Sequence, residues 1–170
     1  MFSYLCCCFY SDEKKNNENL FEDYELYNEL KYIEFKNTKK FIMPIKYGKV
    51  IKVYDGDTIT ICSKLPYKES PIYRFQVRLN GIDSPEIKGK TEIEKKKAVE
   101  ARNALCKLIL GKFVFLEIVG NEKYGRILAD VYYNNIHINE WMVVNNYAVN
   151  YDGGKKKVTW ADCDMIVLSE

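Results

Sequence analysis

Five short segments between positions 46 and 133 alternate apolar and polar residues, which is the pattern of half-buried β-strands. They span residues 46–54, 58–62, 73–79, 113–119 and 127–133. Turn-forming residues separate them, with Asp55-Gly56 after the first segment and Asn134-Asn135 after the last. Because such strands bury their apolar faces only when they pair, the sequence predicts a mainly β domain.

A helical pattern separates the third and fourth predicted strands. It begins after Thr91, which has the spacing of a capping box with Glu94, and Gly111 is a suitable stop. The apolar residues of its predicted core face are Ala98, Ala101, Leu105 and Leu108. A second short helix is predicted over residues 140–145. This order of elements is that of an OB-type barrel, so the predicted fold class is mainly β (α+β), a five-stranded OB-fold barrel with two or three helices.

The length of 170 residues suits one domain with short additions. We place this domain at residues 41–160, after a leader at 1–40 that is partly disordered or forms a short helix, and before an acidic tail at 161–170. Charge follows this division, because residues 41–160 carry 20 Lys and Arg against 13 Asp and Glu, whereas both flanks are net acidic. A basic domain fits a polyanionic partner, although solubility alone also explains such a bias.

Histidine and cysteine usage excludes several kinds of site. His137 is the only histidine, which excludes zinc sites with several His ligands, argues against a catalytic triad, and favours a structural role in a strand. The six cysteines contain no CxxC pair, and three of them are adjacent, which does not indicate a disulfide framework. We therefore expect an intracellular (cytoplasmic) protein.

The first ten residues are apolar, but they lack the basic start and the cleavage site of a secretory signal, and no stretch is long enough for a transmembrane helix. Cys6, Cys7 and Cys8 lie beside aromatic residues and could be palmitoylated, which would attach the protein peripherally to a membrane. The alternative is an unmodified tail, and both alternatives stay open.

Three short segments place charged residues where a β domain needs only turn formers. They are Asp55-Gly56-Asp57-Thr58, the stretch 78–86, and Lys123-Tyr124-Gly125-Arg126. Each alone is compatible with a plain turn or a solvated surface. Together they supply carboxylates that could hold a hard cation, a carboxylate that could activate water, and two arginines that could bind a phosphodiester. This is the minimum set for metal-assisted phosphodiester hydrolysis.

These segments resemble the staphylococcal nuclease (thermonuclease) family, in the same order from about Gly48 to Tyr151, over about 60% of the chain. The resemblance implies an OB-fold barrel and an enzyme of the hydrolase class, a calcium-dependent endonuclease that cleaves DNA and RNA and leaves 3′-phosphate ends. We expect a monomer that prefers single strands, because an OB-type groove can hold one strand by phosphate contact and base stacking.

The resemblance also implies roles for the acidic segment. Asp57 and Asp83 match the calcium-binding aspartates of the family. Ser84 stands where the family usually has Thr, and it would offer its main-chain carbonyl to the metal. Glu86 matches the glutamate that acts as general base or orients the attacking water.

Arg78 and Arg126 match the two arginines that contact the phosphate and stabilise the transition state. Tyr124 matches a tyrosine of the nucleotide pocket, with packing at the barrel rim as the alternative, and its neighbour Lys123 is expected to bind substrate. The long C-terminal helix of the family has no counterpart in residues 158–170.

The main alternative is a catalytically inactive OB-fold module that binds nucleic acid and that its cysteines could also tether to a membrane. Such a module needs positive charge and aromatic rings, whereas clustered carboxylates repel phosphate. The presence of both aspartates, the glutamate and both arginines therefore favours an active nuclease.

Overall fold

The predicted strands pair into a closed barrel. In chain order the strands are β1 (Tyr47–Val53), β2 (Thr58–Lys64), β3 (Ile72–Leu79), β4 (Ile82–Asp83), β5 (Phe113–Asn121), β6 (Ile127–Tyr133), β7 (Ile136–His137) and β8 (Val149–Asn150). The larger sheet has the order β3-β2-β1-β5-β6-β7, and a parallel pairing of β3 with β6 closes it. β4 and β8 form a separate short pair. The five long strands form the predicted OB-fold barrel, so the expected fold class is confirmed.

The structure is a computed structural model that describes residues 17–122, 125–154 and 160. Its helices are α1 (Asn17–Leu30), α2 (Glu92–Ile109) and α3 (Ile138–Val144). The chain divides into two units, residues 1–41 and 42–170, and α1 lies in the first unit. In the part of the chain that is described, no helix has both the length and the apolar character needed to cross a membrane.

The core lies inside the barrel and under α2. Alternate strand residues fill it, among them Val50, Ile59, Ile61, Val77, Leu79, Val114, Leu116 and Val131. From α2 the buried residues are Ala98, Ala101, Leu105 and Ile109. The predicted fourth member, Leu108, is only half-buried. Ile109 is buried on this face instead, because it follows Ala98 by close to three full helical turns of 3.6 residues.

The predicted ends of α2 are present, with one correction. Thr91 Oγ1 accepts a hydrogen bond from Glu94 N at 3.1 Å, as an N-cap does. The Glu94 carboxylate does not complete a capping box, because it accepts from Lys90 N at 3.0 Å and from Glu86 N at 3.4 Å, so it orders the loop before the helix. At the other end, Gly111 has a φ of +77°, which glycine adopts without steric cost.

The only histidine has structural surroundings, as expected. The His137 ring stacks on Tyr132 with centroids 4.8 Å apart. Its Nε2 lies 3.6 Å from Asp130 Oδ1, and its Nδ1 lies 3.7 Å from Glu140 Oε2. Stacking on Tyr132 therefore packs the ring of His137 against β6.

Candidate active site

The turn between β1 and β2 is buried, although turns normally face solvent. Asp55 is 8% exposed and Asp57 is 3% exposed. Gly56 makes this close packing possible, because a Cβ at Gly56 would lie 2.8 Å from Ser84 Cβ and 3.0 Å from Ala101 Cβ. The turn therefore packs against α2 and the loop after β4. Ser84 N donates a hydrogen bond to Asp57 Oδ2 at 3.0 Å, which holds the two predicted metal-binding segments together.

The Arg78 side chain, near the end of β3, joins the predicted aspartates. Its Nη1 forms an ion pair with Asp57 Oδ1, and its Nη2 lies 3.3 Å from Asp83 Oδ1. Its Nε lies 3.3 Å from Glu122 Oε1. All four side chains are largely buried. One guanidinium group is therefore shared by three carboxylates that the chain supplies from three different segments.

Arg126 directly precedes β6, and the pairing of β6 with β3 brings it to the same cluster. Its Nε donates a hydrogen bond to Glu122 Oε2 at 2.7 Å. Its Nη1 donates to Thr58 Oγ1 at 3.2 Å, and the Thr58 hydroxyl in turn donates to Asp57 Oδ1 at 2.8 Å. Glu122 therefore bridges the two arginines that are predicted to bind phosphate, and Thr58 bridges Arg126 and Asp57.

Burial and charge both act on the ionisation of this cluster. Burial alone would lower the pKa of Arg78, but the neighbouring carboxylates, Asp57 first, outweigh burial and raise that pKa, so the guanidinium group stays charged. The pKa of Asp55 is raised from 3.8 to about 7, first by burial and second by repulsion from Asp57. Its Oδ1 nevertheless accepts a hydrogen bond from Asp57 N at 3.1 Å, which fixes the turn.

Ser84 and Glu86 lie in the loop between β4 and α2. Among the described residues, the buried Ser84 hydroxyl has no hydrogen-bond partner. The Ser84 side chain faces Gly56, and a Cβ there would lie 3.1 Å from Ser84 Oγ. Glu86 is exposed, and its carbonyl accepts a hydrogen bond from Gly89 N at 2.8 Å. The general base predicted at Glu86 is thus on the solvent side of the loop that carries Ser84.

Several predicted residues lie outside the described part of the chain. These are Lys123 and Tyr124 at the hairpin before Arg126, and Cys6, Cys7 and Cys8 in the leader. The substrate-binding and palmitoylation roles expected for them stay predictions.

Sequence reasoning missed Glu122 and Thr58, which link the cluster. Each has a local signal, because Glu122 directly follows β5 and lies four residues before Arg126, and Thr58 directly follows Asp57. A Glu and an Arg at this spacing across a hairpin can pair, yet the same spacing occurs on many solvated surfaces. Only the closure of the barrel shows that Glu122 also reaches Arg78.

The donor atoms in the cluster suit a hard cation. Asp57 and Asp83 are buried carboxylates that converge on one positive group, and oxygen is the ligand that Ca²⁺ and Mg²⁺ select. Within residues 17–122, 125–154 and 160, no group of three or more His, Cys, Asp and Glu side chains could hold a metal ion. A metal here would therefore need main-chain, water or substrate oxygens besides the two aspartates.

Comparison with known proteins identifies the family. The model of the family described as "Staphylococcal nuclease homologue" matches residues 76–163, just over half of the chain. The chain belongs to the staphylococcal nuclease family. The matched region includes Arg78, Asp83, Glu86 and Arg126, whereas Asp57 lies before it and is joined to it by the contacts described above.

Individual relatives agree with this assignment. The rice (Oryza sativa subsp. japonica) protein "Probable staphylococcal-like nuclease CAN3" is 35% identical over 91 residues, which cover 52% of this chain and 22% of the rice protein. "Staphylococcal-like nuclease CAN1" of Arabidopsis thaliana is 33% identical over 91 residues, 52% of this chain and 25% of the relative. An uncharacterized Bacillus anthracis protein is 36% identical over 118 residues, 68% of this chain and 51% of the relative. The chain thus spans about a quarter or less of the length of these plant relatives.

Proposed function

We propose that this protein is a calcium-dependent endonuclease that hydrolyses phosphodiester bonds of DNA and RNA and leaves 3′-phosphate ends. One observation carries the proposal. Arg78 contacts both buried aspartates, Asp57 and Asp83, and the Glu122 carboxylate bridges Arg78 to Arg126. The family assignment and the relatives named as staphylococcal-like nucleases support a nuclease-type function.

The two arginines would bind the reacting phosphate. Each guanidinium group is a planar fork with a permanent charge, and both are largely shielded from water, where their interaction with a phosphoryl oxygen is strengthened. The contacts with Thr58 and Glu122 hold the Arg126 fork before substrate arrives. Such preorganised donors stabilise the additional negative charge of the transition state.

The aspartates and the glutamate complete the reaction. Asp57, Asp83 and the main-chain carbonyl of Ser84 would hold Ca²⁺, which when bound supplies positive charge beside the phosphate oxygens. A Glu86 carboxylate oxygen would take the proton of the attacking water. The water oxygen then bonds to phosphorus, the bond from phosphorus to the 5′-oxygen breaks, and the leaving oxygen takes a proton from solvent.

We expect a preference for single strands with little sequence specificity. Phosphate contact and stacking on an aromatic ring are both largely indifferent to base identity, and a stable duplex must open before one strand can enter. Lys123 and Tyr124, beside Arg126 in the sequence, are the proposed substrate contacts.

Digestion of single-stranded DNA in calcium, in magnesium and in chelator tests the proposal. Calcium should support turnover better, because it tolerates irregular oxygen cages whereas magnesium requires near-octahedral geometry. Full activity in chelator, or faster cutting of a stable G·C duplex, contradicts the assignment. Binding of DNA without cleavage under all conditions would instead support the inactive binding module.

Glu86 can be tested with a matched control. Glu86→Gln should reduce turnover by roughly 10²- to 10⁴-fold, because the water loses its proton acceptor. Glu100→Gln makes the same charge change on an exposed position of α2 and should leave turnover unchanged. Equal rates for the two variants would remove Glu86 from the mechanism.

A further inference from the structure

The Glu122 carboxylate lies between the two arginines of the candidate site, and each of its oxygens contacts a different one. Oε1 lies 3.3 Å from Arg78 Nε. Oε2 accepts a hydrogen bond from Arg126 Nε at 2.7 Å and lies 2.5 Å from Arg126 Nη2. The Glu122 side chain is 21% exposed, so solvent screens this charge only in part.

The remaining nitrogen atoms of Arg78 and Arg126 hold the cluster itself. Nη1 of Arg78 pairs with Asp57, while its Nη2 donates to the Ile82 carbonyl at 3.0 Å and faces Asp83. Nη1 of Arg126 donates to Thr58. The nitrogen atoms with no contact to this framework are Nε of Arg78 and Nε and Nη2 of Arg126. All three point at Glu122.

We propose that Glu122 is a positioning residue that occupies the phosphate subsite of the ligand-free protein. Its two oxygens take the donors that two oxygens of a phosphodiester would need, and by doing so they hold the two guanidinium groups at the separation of one bridging anion. The substrate phosphate displaces the carboxylate when it binds. This inference rests on the proposed function only in assigning that phosphate to a nucleic acid.

Because the Glu122 carboxylate occupies the subsite, the apparent affinity of the protein for phosphate is lower than the intrinsic affinity. An anion binds only the fraction of molecules in which Glu122 has released the arginines, so the apparent Kd is the intrinsic Kd divided by that fraction. The carboxylate also repels an approaching phosphate by its charge. A neutral side chain at this position removes both effects.

Binding of inorganic phosphate in chelator tests the inference without catalysis. The probe is the rise of the unfolding temperature with phosphate concentration, from which an apparent Kd follows. Glu122→Gln, which keeps the shape of the side chain, should lower this Kd by about tenfold, as expected if about a tenth of the wild-type molecules have the subsite open. Glu117→Gln is the control, because it makes the same charge change at an exposed position of β5.

Two further variants separate charge from shape. Glu122→Ser is also neutral and should also lower the Kd for phosphate. This variant can replace Glu122→Gln in the test if the glutamine variant does not fold. Glu122→Asp keeps the charge and should leave the Kd near that of the wild type. An unchanged or weaker affinity in the folded neutral variants overturns the inference, and so does an equal gain in Glu117→Gln.

Cleavage kinetics distinguish this inference from the proposed function. In an active enzyme, Glu122→Gln should lower KM for single-stranded DNA while kcat falls or stays constant, because the subsite is open but Arg126 has lost an anchor. A general structural defect would not lower KM. If the wild type cleaves DNA and the phosphate affinity does not respond to Glu122, only the positioning role fails. If phosphate affinity responds and no DNA is cleaved, only the nuclease function fails.

Discussion

Arg78 and Arg126 differ in how deeply the carboxylates that they neutralise are buried. The Arg78 side chain is 12% exposed and neutralises two aspartates that are still more buried, so Arg78→Ala would leave buried charges without a partner and cost stability. The Arg126 side chain is 25% exposed and pairs with a partly exposed glutamate. To separate the effect on catalysis from the effect on stability, the variant of Arg78 should keep a positive charge, whereas the variant of Arg126 can remove it.

Arg78→Lys and Arg126→Ala should each reduce turnover by roughly 10²- to 10³-fold, because each removes a preorganised contact to the phosphate and an ammonium group cannot replace the guanidinium fork. The measurement is the initial rate on single-stranded DNA, with folding checked by circular dichroism. Arg74→Lys changes an exposed arginine of the same strand and should cleave at the wild-type rate. Turnover close to wild type in either folded variant would exclude that arginine from the mechanism.

Asp55 gives the stability a pH dependence with a defined sign. The pKa of Asp55 is about 7 in the folded protein against an ordinary value of 3.8, so between these pH values the folded state holds a proton that the unfolded state releases. Stability from this proton is complete below the unfolded pKa and is lost as pH rises through the folded pKa. The loss therefore falls between about pH 4 and pH 7.

Asp55→Asn removes this titration and keeps an oxygen that can accept the hydrogen bond from Asp57 N. In calcium-free buffer, the free energy of unfolding of the wild type should fall by roughly 2–3 kcal/mol more than that of the variant between about pH 5 and pH 8. Urea unfolding at the two pH values measures the difference. Parallel pH profiles for the two proteins would show that Asp55 ionises normally.

At the scale of elements, the closest packing in the site joins a turn, a loop and a helix. Gly56 lies in the β1–β2 turn, and the atoms nearest to a Cβ there are Cβ atoms of Ser84 and Ala101, which cannot rotate away. Gly56→Ala should therefore destabilise the fold by about 1–3 kcal/mol and displace the loop that carries Ser84. Urea unfolding gives the stability, and calorimetric titration with calcium reports on the aspartates.

Gly120→Ala is the matched control for this prediction. Gly120 lies in β5, and a Cβ there would have no neighbour within 4 Å, so the added methyl group meets open space. We expect its stability to stay within about 0.5 kcal/mol of the wild type. Equal stabilities of the two alanine variants would mean that the β1–β2 turn can move away from α2 at little cost.

At the scale of the whole molecule, the two units have separate roles in our proposal. The buried core and the candidate site belong to residues 42–170, and the hydrophobic core cluster begins at Ile45. A chain that starts at Ile42 should therefore fold and cleave single-stranded DNA as fast as the full chain. Circular dichroism and initial rates check this, and a folded but inactive shortened chain would show that residues 1–41 contribute to catalysis.

The leader is instead expected to determine location. Stable anchoring requires more than one lipid or an added basic patch, so at least two of Cys6, Cys7 and Cys8 would have to be acylated. Fractionation of eukaryotic cells should place the wild type with membranes and the triple Cys→Ser variant in the soluble fraction. A wild type that is entirely soluble would eliminate the lipid anchor.

Much of the fold followed from neighbours close in sequence. Period-two alternation located the five barrel strands, and Thr91 and Gly111 located the ends of α2, because these signals act over a few residues. The glutamate of the expected capping box was assigned to the wrong partner. Its carboxylate reaches Lys90 N and Glu86 N, since the conformation of the loop before α2 also decides which donors are near.

The sequence by itself determined the positions of the five long strands along the chain, the family resemblance and most of the charged residues of the candidate site, because residue type and short spacing carry that information. Only the tertiary structure decided that Arg78 and Arg126 share Glu122, that Thr58 links Arg126 to Asp57, and that the turn at Gly56 is buried. The contacts of Arg126 depend on the parallel pairing of β3 with β6, which β4, α2 and β5 separate along the chain. Pairing over such distances is set by burial of the whole barrel, which no local pattern contains.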